Sequence, residues 1–161
     1  MAAKSKSRSI ITTLLKRWFI DSLGAMALGL FASLIVGVII SDLIAKIPGM
    51  GFLMDFLTVS GGSLKGVYLL GASSPVIGSA IGVAIAYGLK HKPLVIFSGA
   101  VTGALGYMAT ANNVSAGPVG AYLAALVSCE LVGLYAGKTK LDILLVPLGA
   151  IISGALVANF A

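Results

Sequence analysis

Long apolar stretches separated by short polar ones dominate this chain of 161 residues. A helix of about 20 apolar residues crosses the hydrocarbon core of a bilayer, which is about 30 Å thick. Five stretches approach that length, and the predicted spans are 22–41, 66–89, 94–111, 119–137 and 143–160. The pattern therefore predicts an all-α membrane protein, in which a bundle of about five transmembrane helices forms one domain over 22–161.

The composition supports this class. Hydrophobic residues make up 58% of the chain and charged residues 10%, and the mean hydropathy is +1.07. A soluble domain carries about 25% charged residues, so the composition excludes a water-exposed globular surface. The expected partner of most of this surface is the lipid bilayer.

The basic residues are distributed unevenly between the two ends of the predicted spans. Of the 11 Lys and Arg residues, all except Lys46 and Lys65 lie in the segment 1–21 or in the loops around 90–92 and 138–140. The positive-inside rule therefore places the N-terminus and both loops in the cytoplasm. The net charge of +6 is explained by this distribution and does not indicate a nucleic-acid partner.

Two segments outside the spans leave alternatives open. Residues 1–21 form a basic cytoplasmic or interfacial segment, either a short amphipathic helix on the membrane surface or a frayed tail. The connection 41–65 is long for a structureless loop. It is expected to hold a re-entrant or interfacial segment on the outer side, and the sequence does not choose between these.

Glu130 is the outstanding polar residue, because it lies within the predicted fourth span. A carboxylate inside a membrane is costly unless it is protonated, paired or hydrated, so it normally faces a cavity or a partner. The functional hypothesis is that Glu130 binds a proton, a cation or a substrate hydroxyl. The structural alternative is a neutral acid that joins two helices by a hydrogen bond, with Ser128 or a group on another span as its partner.

Two points where helices break supply further candidates. Pro75 is predicted inside the second span, where it would free a backbone carbonyl. The segment 112–118 joins two spans without a charge. Broken helices often frame transporter sites, although an ordinary turn and a proline kink explain both points equally simply. The candidate substrate- or ion-binding residues are Glu130, Asn112, Asn113, Ser73 and Ser74.

Other polar groups indicate no catalytic chemistry. Asp21, Asp142 and His91 are interpreted as solvated charges at cytoplasmic helix ends, and Cys129 as a small packing residue. No nucleophile–base pair, metal-ligand cluster or phosphate-binding glycine loop is present in the sequence. The chain is therefore not expected to be an enzyme or to hold a metal or a cofactor.

Three stretches carry a resemblance to a known family: Arg17–Gly37, Ile81–Lys90 and Ala116–Glu130. They resemble the second EIIC-type family of the sugar phosphotransferase system, in which some relatives are labelled putative toxin-gene regulators. The resemblance extends over most of the chain from about Arg17. It implies a membrane permease subunit of the bacterial plasma (inner) membrane, with any phosphoryl transfer carried out by separate soluble partner proteins.

Relatives of this kind are typically about twice as long. The expectation is therefore a homo-oligomer, or an N-terminal half that needs a missing C-terminal half to complete the substrate path.

The sequence thus predicts a permease subunit for a small polar solute, sugar-type by resemblance, that works by alternating access. One alternative is an ion- or proton-coupled carrier or channel without phosphoryl transfer. The other is a membrane sensor that regulates gene expression through its basic N-terminus.

Overall fold

A computed structural model of the chain describes residues 2–49, 52, 58–59, 67–68, 74–111, 114–138 and 140–160. Its first part is a long helical run made of three α-helices. These are α1 (Ala2–Leu15), α2 (Ser22–Leu30) and α3 (Val36–Lys46). Two π-helical turns, Lys16–Asp21 and Phe31–Ile35, join them, and the residues at these junctions keep right-handed helical dihedrals. The N-terminal segment is therefore helical and continuous with the first predicted span.

Four further helices follow in the described part of the chain, and each of the first three has a proline among its first two residues. They are α4 (Pro75–Gly88), α5 (Pro93–Met108), α6 (Gly117–Gly133) and α7 (Asp142–Phe160). Proline suits the first turn of a helix because the amide it lacks would have no intrahelical acceptor there. Each predicted span from the second to the fifth is thus represented by one helix.

Short antiparallel hairpins replace helix at two places. Strand β1 (Thr58–Val59) pairs with β2 (Val67–Tyr68), and β3 (Thr110–Ala111) pairs with β4 (Val114–Ser115). The prediction of helix from residue 66 was therefore wrong for Val67 and Tyr68. The region of the predicted re-entrant or interfacial segment lies largely outside the described residues.

The start of α4 also corrects the expected role of Pro75. This residue is the first residue of the helix and not a kink within it. Ser74 is the N-cap, and its Oγ accepts a hydrogen bond from the Val76 amide at 3.2 Å. A serine followed by proline suits these two positions, since the hydroxyl caps the helix and the proline ring fits its first turn.

Glycines bring α4 and α5 into backbone contact. A Cβ placed on Gly82 would overlap the carbonyl of Gly99, and one placed on Gly78 would overlap the carbonyl of Gly103. The same relation holds between α5 and α6, where Gly106 and Gly120 face each other. Helices in lipid associate through such close contacts, because water exclusion does not drive them together there.

Large apolar side chains lie mostly on the outside of this bundle. Ala86, Ala121 and Ala125 are fully buried, whereas Phe31 and Phe97 are more than half exposed. Ser9–Ile40 and Asp142–Asn159 are long and apolar enough to cross a membrane, and α4, α5 and α6 are shorter apolar helices. The core thus combines small residues with the three isoleucines of α4, and it lies inside a large apolar surface of the kind that helices present to lipid.

Candidate functional site

Three charged or ionisable side chains from separate elements meet at one end of the bundle. Arg17 lies in the π-helical turn before α2, His91 in the loop between α4 and α5, and Glu130 in the last turn of α6. The Nε of Arg17 is 3.2 Å from Oε1 of Glu130, and Nε2 of His91 is 4.0 Å from the same oxygen. We call these three residues the carboxylate cluster.

The end of α4 fixes the position of His91. Lys90 adopts a left-handed conformation with φ of 57°. Its amide donates to the Tyr87 carbonyl at 2.9 Å, and the His91 amide donates to the Ala86 carbonyl at 3.1 Å. This pair of bonds is the Schellman motif that closes a helix. The motif turns the chain so that the imidazole of His91 lies against Gly133 of α6.

Hydrogen bonds to α4 and α6 hold the first helical run in place beside the cluster. The guanidinium Nη2 of Arg17 donates to the Leu89 carbonyl at 3.2 Å. One residue later, the Trp18 carbonyl accepts from the Tyr122 hydroxyl at 2.7 Å and also from the Ser22 hydroxyl. The hydroxyls of Ser22 and Tyr122 lie 3.1 Å apart. The first helical run is therefore held to the end of α4 by the Arg17 side chain and to α6 by the Trp18 carbonyl.

The cluster leaves hydrogen-bonding capacity unused. Arg17 Nε, His91 Nε2 and Glu130 Oε1 are buried, and none has a hydrogen-bond partner among the described residues. The short distance between Arg17 and Glu130 is thus an electrostatic contact without hydrogen-bond alignment. A buried polar atom that lacks a partner costs free energy comparable to a lost hydrogen bond. Two nitrogens and one oxygen thus lie close together without an aligned hydrogen bond among the described residues.

Burial makes His91 harder to protonate than a free histidine. Desolvation lowers the pKa of His91 from its ordinary value of 6.5, the charge of Glu130 opposes this shift, and the charge of Arg17 adds to it. A histidine with a lowered pKa is neutral at pH 7 and can both donate and accept hydrogen bonds.

The structure brings only one of the predicted binding residues to this cluster. Glu130 lies three residues before the end of α6 at Gly133, so it is nearer the helix end than the predicted span of 119–137 implied. Ser74 caps the start of α4, and this 14-residue helix places Ser74 about 20 Å from the cluster. Ser73, Asn112 and Asn113 lie outside the described residues.

Arg17 and His91 were not among the predicted site residues. His91 was interpreted as a solvated charge, which was wrong, because its side chain is only 11% exposed and faces Glu130. Of the two kinds of partner considered for Glu130, the structure places a group on another element, Arg17, next to it, whereas Ser128 donates to the Thr102 hydroxyl at 3.0 Å. No local pattern links positions 17, 91 and 130. The resemblance of Arg17–Gly37 and Ala116–Glu130 to one family was the only sequence signal that included Arg17 together with Glu130.

Within the described ranges, no group of three or more His, Cys, Asp or Glu side chains is arranged to hold a metal ion. The cluster contains one carboxylate and one imidazole next to a guanidinium. A fixed positive charge beside the carboxylate disfavours binding of a second cation there. The arrangement suits hydrogen bonding to a neutral polar molecule.

Comparison with protein families gives the relationship of the chain as a whole. The family model described as "Phosphotransferase system, EIIC" matches residues 20–161. No curated protein and no solved structure matches the chain. The match includes α2 to α7 and both His91 and Glu130, and it begins just after Arg17. Because the match covers most of the sequence, the chain belongs to the EIIC family of the phosphotransferase system.

Proposed function

We propose that this chain is a multi-pass permease subunit of the bacterial inner membrane that moves a small polar solute, sugar-type, by alternating access. The family supports transport of a sugar. The observation that carries the proposal is the carboxylate cluster, in which three buried polar atoms from three elements converge and have no hydrogen-bond partner among the described residues.

The chemistry of the cluster suits a hydroxyl-bearing solute. The carboxylate oxygen of Glu130 accepts a hydrogen bond from a hydroxyl, and the Arg17 Nε–H donates one to a hydroxyl oxygen. Bonds to charged partners are about twice as strong as neutral ones. A sugar hydroxyl that enters between Arg17 and Glu130 would satisfy both groups and replace their unaligned contact.

The position of the cluster supports a role in opening and closing. It joins the first helical run to α6 and to the loop after α4 at the end that carries Lys90 and Lys92. The positive-inside rule assigns this end to the cytoplasm. A solute that binds Arg17 and Glu130 changes the contact between these elements, and differential contacts of this kind bias a two-state transporter.

Soluble phosphotransfer proteins are the proposed partners of the subunit. No nucleophile adjacent to a base occurs among the described residues, and Cys129 is buried within α6. Separate soluble proteins would therefore carry out the phosphoryl transfer to the transported sugar.

A second candidate is a proton-coupled carrier that works without phosphoryl transfer. The specific observation that favours it is the 4.0 Å separation between His91 Nε2 and Glu130 Oε1. A histidine beside a carboxylate can exchange a proton with it, and burial shifts this exchange to a pH below 6.5 by lowering the pKa of His91. Uptake that follows a pH gradient and needs no phosphoryl donor would support this candidate.

Thermal unfolding against a panel of sugars tests the proposal. A ligand that binds only the folded state raises the midpoint of unfolding. One sugar should raise the midpoint of the wild type and leave that of Glu130→Gln unchanged. The matched control is Glu130→Asp, which keeps the charge and should retain part of the shift.

Uptake into proteoliposomes then separates the two candidates. Sugar uptake that requires added phosphotransfer proteins supports the permease of the phosphotransferase system. Neither binding nor uptake of any sugar by a preparation that unfolds cooperatively would contradict it.

A further inference from the structure

A groove of about 880 Å³ runs along the outside of the bundle between α2 and α4. Small apolar residues line most of it. Gly29 brings the two helices together at its base, because a Cβ there would lie 2.7 Å from the Ala80 carbonyl oxygen. The walls include Ala25, Ala32, Ala80, Val83 and Ala84.

One end of this groove is polar and carries both signs of charge. Asp21, Tyr87 and Lys90 line that end. In the part of the chain that the structure describes, Asp21 and Lys90 form no ion pair with each other. The groove therefore presents a carboxylate and an ammonium group at one end. The rest of its wall is apolar except for Ser79, whose hydroxyl donates to the Pro75 carbonyl at 3.3 Å.

The length of the groove matches one leaflet of a bilayer. The eleven helical steps from Asp21 to Ala32 correspond to about 16 Å at 1.5 Å per residue. Half of a hydrocarbon core about 30 Å thick is about 15 Å. In the proposed membrane topology, the charged end lies at the cytoplasmic interface and the apolar walls extend to about the bilayer midplane.

We propose that this groove binds one phosphatidylethanolamine molecule of the cytoplasmic leaflet. Its phosphate pairs with Lys90, its ammonium group donates hydrogen bonds to Asp21, and an acyl chain lies between α2 and α4. The inference rests on the proposed membrane topology, and it adds a lipid ligand at a place distinct from the carboxylate cluster.

Charge complementarity selects this lipid over the other common headgroups. An anionic phosphatidylglycerol would pair with Lys90 but would leave Asp21 without a cationic partner. The trimethylammonium group of phosphatidylcholine carries no N–H and cannot donate to a carboxylate. Phosphatidylethanolamine supplies both a phosphate and an N–H-bearing ammonium group, and charge-assisted hydrogen bonds are the stronger kind.

The backbone of Lys90 also distinguishes this residue. Lys90 occupies the left-handed position of the Schellman motif, with φ of 57°. Glycine is the usual residue at this position because it has no Cβ. Lys90 keeps this conformation although it has a Cβ, and the residue also lines the mouth of the groove.

The test measures the thermal unfolding midpoint of the delipidated protein in detergent. Dioleoyl phosphatidylethanolamine, phosphatidylcholine and phosphatidylglycerol are added separately at equal mole fraction. Phosphatidylethanolamine should raise the midpoint by several degrees, and at least twice as much as either other lipid.

Variants assign this preference to the groove. Asp21→Asn and Lys90→Gly should each reduce the shift caused by phosphatidylethanolamine to that of phosphatidylcholine. The second variant also removes backbone strain, so a general loss of stability cannot explain its result. Ala32→Leu should shorten the apolar part and reduce the shift for all three lipids. The matched controls are Lys140→Gln, on another loop, and Ala27→Leu, on α2 but outside the groove lining.

Equal shifts for all three lipids in the wild type would overturn the proposal, as would a preference that persists in both Asp21→Asn and Lys90→Gly. A lipid-free dimer that Ala32→Leu dissociates would identify a second copy as the occupant and would also overturn it.

Sugar-induced stabilisation is measured on the same samples. A protein that binds sugar but shows no lipid preference refutes the lipid site alone, whereas the reverse result refutes only the sugar proposal.

Discussion

Arg17 and Glu130 form an ion-pair contact, with 3.2 Å between Nε and Oε1, that joins the first helical run to α6. Both side chains keep part of their surface exposed, 38% for Arg17 and 23% for Glu130. The contact also lacks hydrogen-bond alignment. These properties give the pair a modest effect on stability and leave both groups able to exchange partners.

The coupling between these two residues should accordingly be small. We expect the double-mutant cycle of Arg17→Gln and Glu130→Gln to give a coupling free energy of about 0.5–1 kcal/mol, the range of partly exposed pairs. Reversible unfolding in mixed micelles measures it. A coupling of about 3 kcal/mol or more would show a locked, desolvated pair, which could not exchange partners with a solute.

His91 should make stability depend on pH in one window. Burial lowers the pKa of His91 below 6.5, so the unfolded chain binds a proton more readily than the folded one. The contribution of His91 to the free energy of unfolding should therefore be constant above about pH 6.5. It should decrease as the pH falls from there to the lowered pKa of the folded state.

The difference in unfolding free energy between the wild type and His91→Gln, measured from about pH 5 to pH 8, isolates this contribution. Replacing Glu130 by Gln removes the charge that raises the pKa of His91, so the window should extend to lower pH. Arg17→Gln removes a charge that lowers the pKa of His91, so the pH window should become narrower. A difference between wild type and His91→Gln that is independent of pH would contradict the burial of His91.

Substitution of Gly82 should be strongly destabilising. A Cβ at this position would overlap the backbone carbonyl of Gly99, which can move only if α4 and α5 separate. We expect Gly82→Ala to lower the free energy of unfolding by about 1–3 kcal/mol. The matched control is Gly24→Ala, because Gly24 is helical and has nothing within 4 Å of an added Cβ. That change should stabilise α2 by up to about 1 kcal/mol.

At position 90, we expect the glycine variant to be more stable than the alanine variant, which is the reverse of the usual order within a helix. Inside a helix alanine is more stable than glycine, but the left-handed conformation of Lys90 costs any residue with a Cβ about 1–2 kcal/mol. Lys90→Gly should therefore unfold at a higher temperature than Lys90→Ala. The same comparison at Ala27, an exposed position within α2, should show the usual order, with Ala27→Gly less stable than the wild type.

Cys129 offers a reporter for these measurements. Its thiol is 1% exposed in a cluster with Ala86 and Val95. We expect a membrane-permeant maleimide to label it only on unfolding, so the labelling rate should rise in Gly82→Ala and fall in Gly24→Ala. Rapid labelling of the native protein would show that the contact between α4, α5 and α6 opens without global unfolding.

The sequence predicted helix in each of the five apolar regions after residue 21, and the structure has helix in each of them, because hydropathy over about 20 residues is a strong signal. It was less successful at helix ends. The apolar residues Val67 and Tyr68 satisfy hydropathy in a strand as well as in a helix. The end of α6 at Gly133 depends on a turn that runs to Gly137, whose amide donates to the Asp142 carboxylate. Such contacts are tertiary and leave no periodic pattern.

For the candidate site, the sequence indicated Glu130 but not its neighbours. A carboxylate in an apolar stretch is conspicuous, whereas Arg17 and His91 lie among other basic residues near helix ends. The Schellman motif after α4 positions His91, and the hydrogen bond between Trp18 and Tyr122 positions the helix that carries Arg17. These contacts bring Arg17 and His91 next to the carboxylate of Glu130.

The π-helical turn Lys16–Asp21 determines how α1 is rotated about the helix axis relative to α2. Each residue of an α-helix advances about 100° around the axis. Adding or removing one residue within this turn would rotate Arg17 by roughly a quarter of a circle relative to Ser22. The same change before Ser9 would leave both anchors in place. The number of residues in this turn, together with the identity of Arg17, therefore determines how the Arg17 side chain is oriented relative to the packed helix that follows.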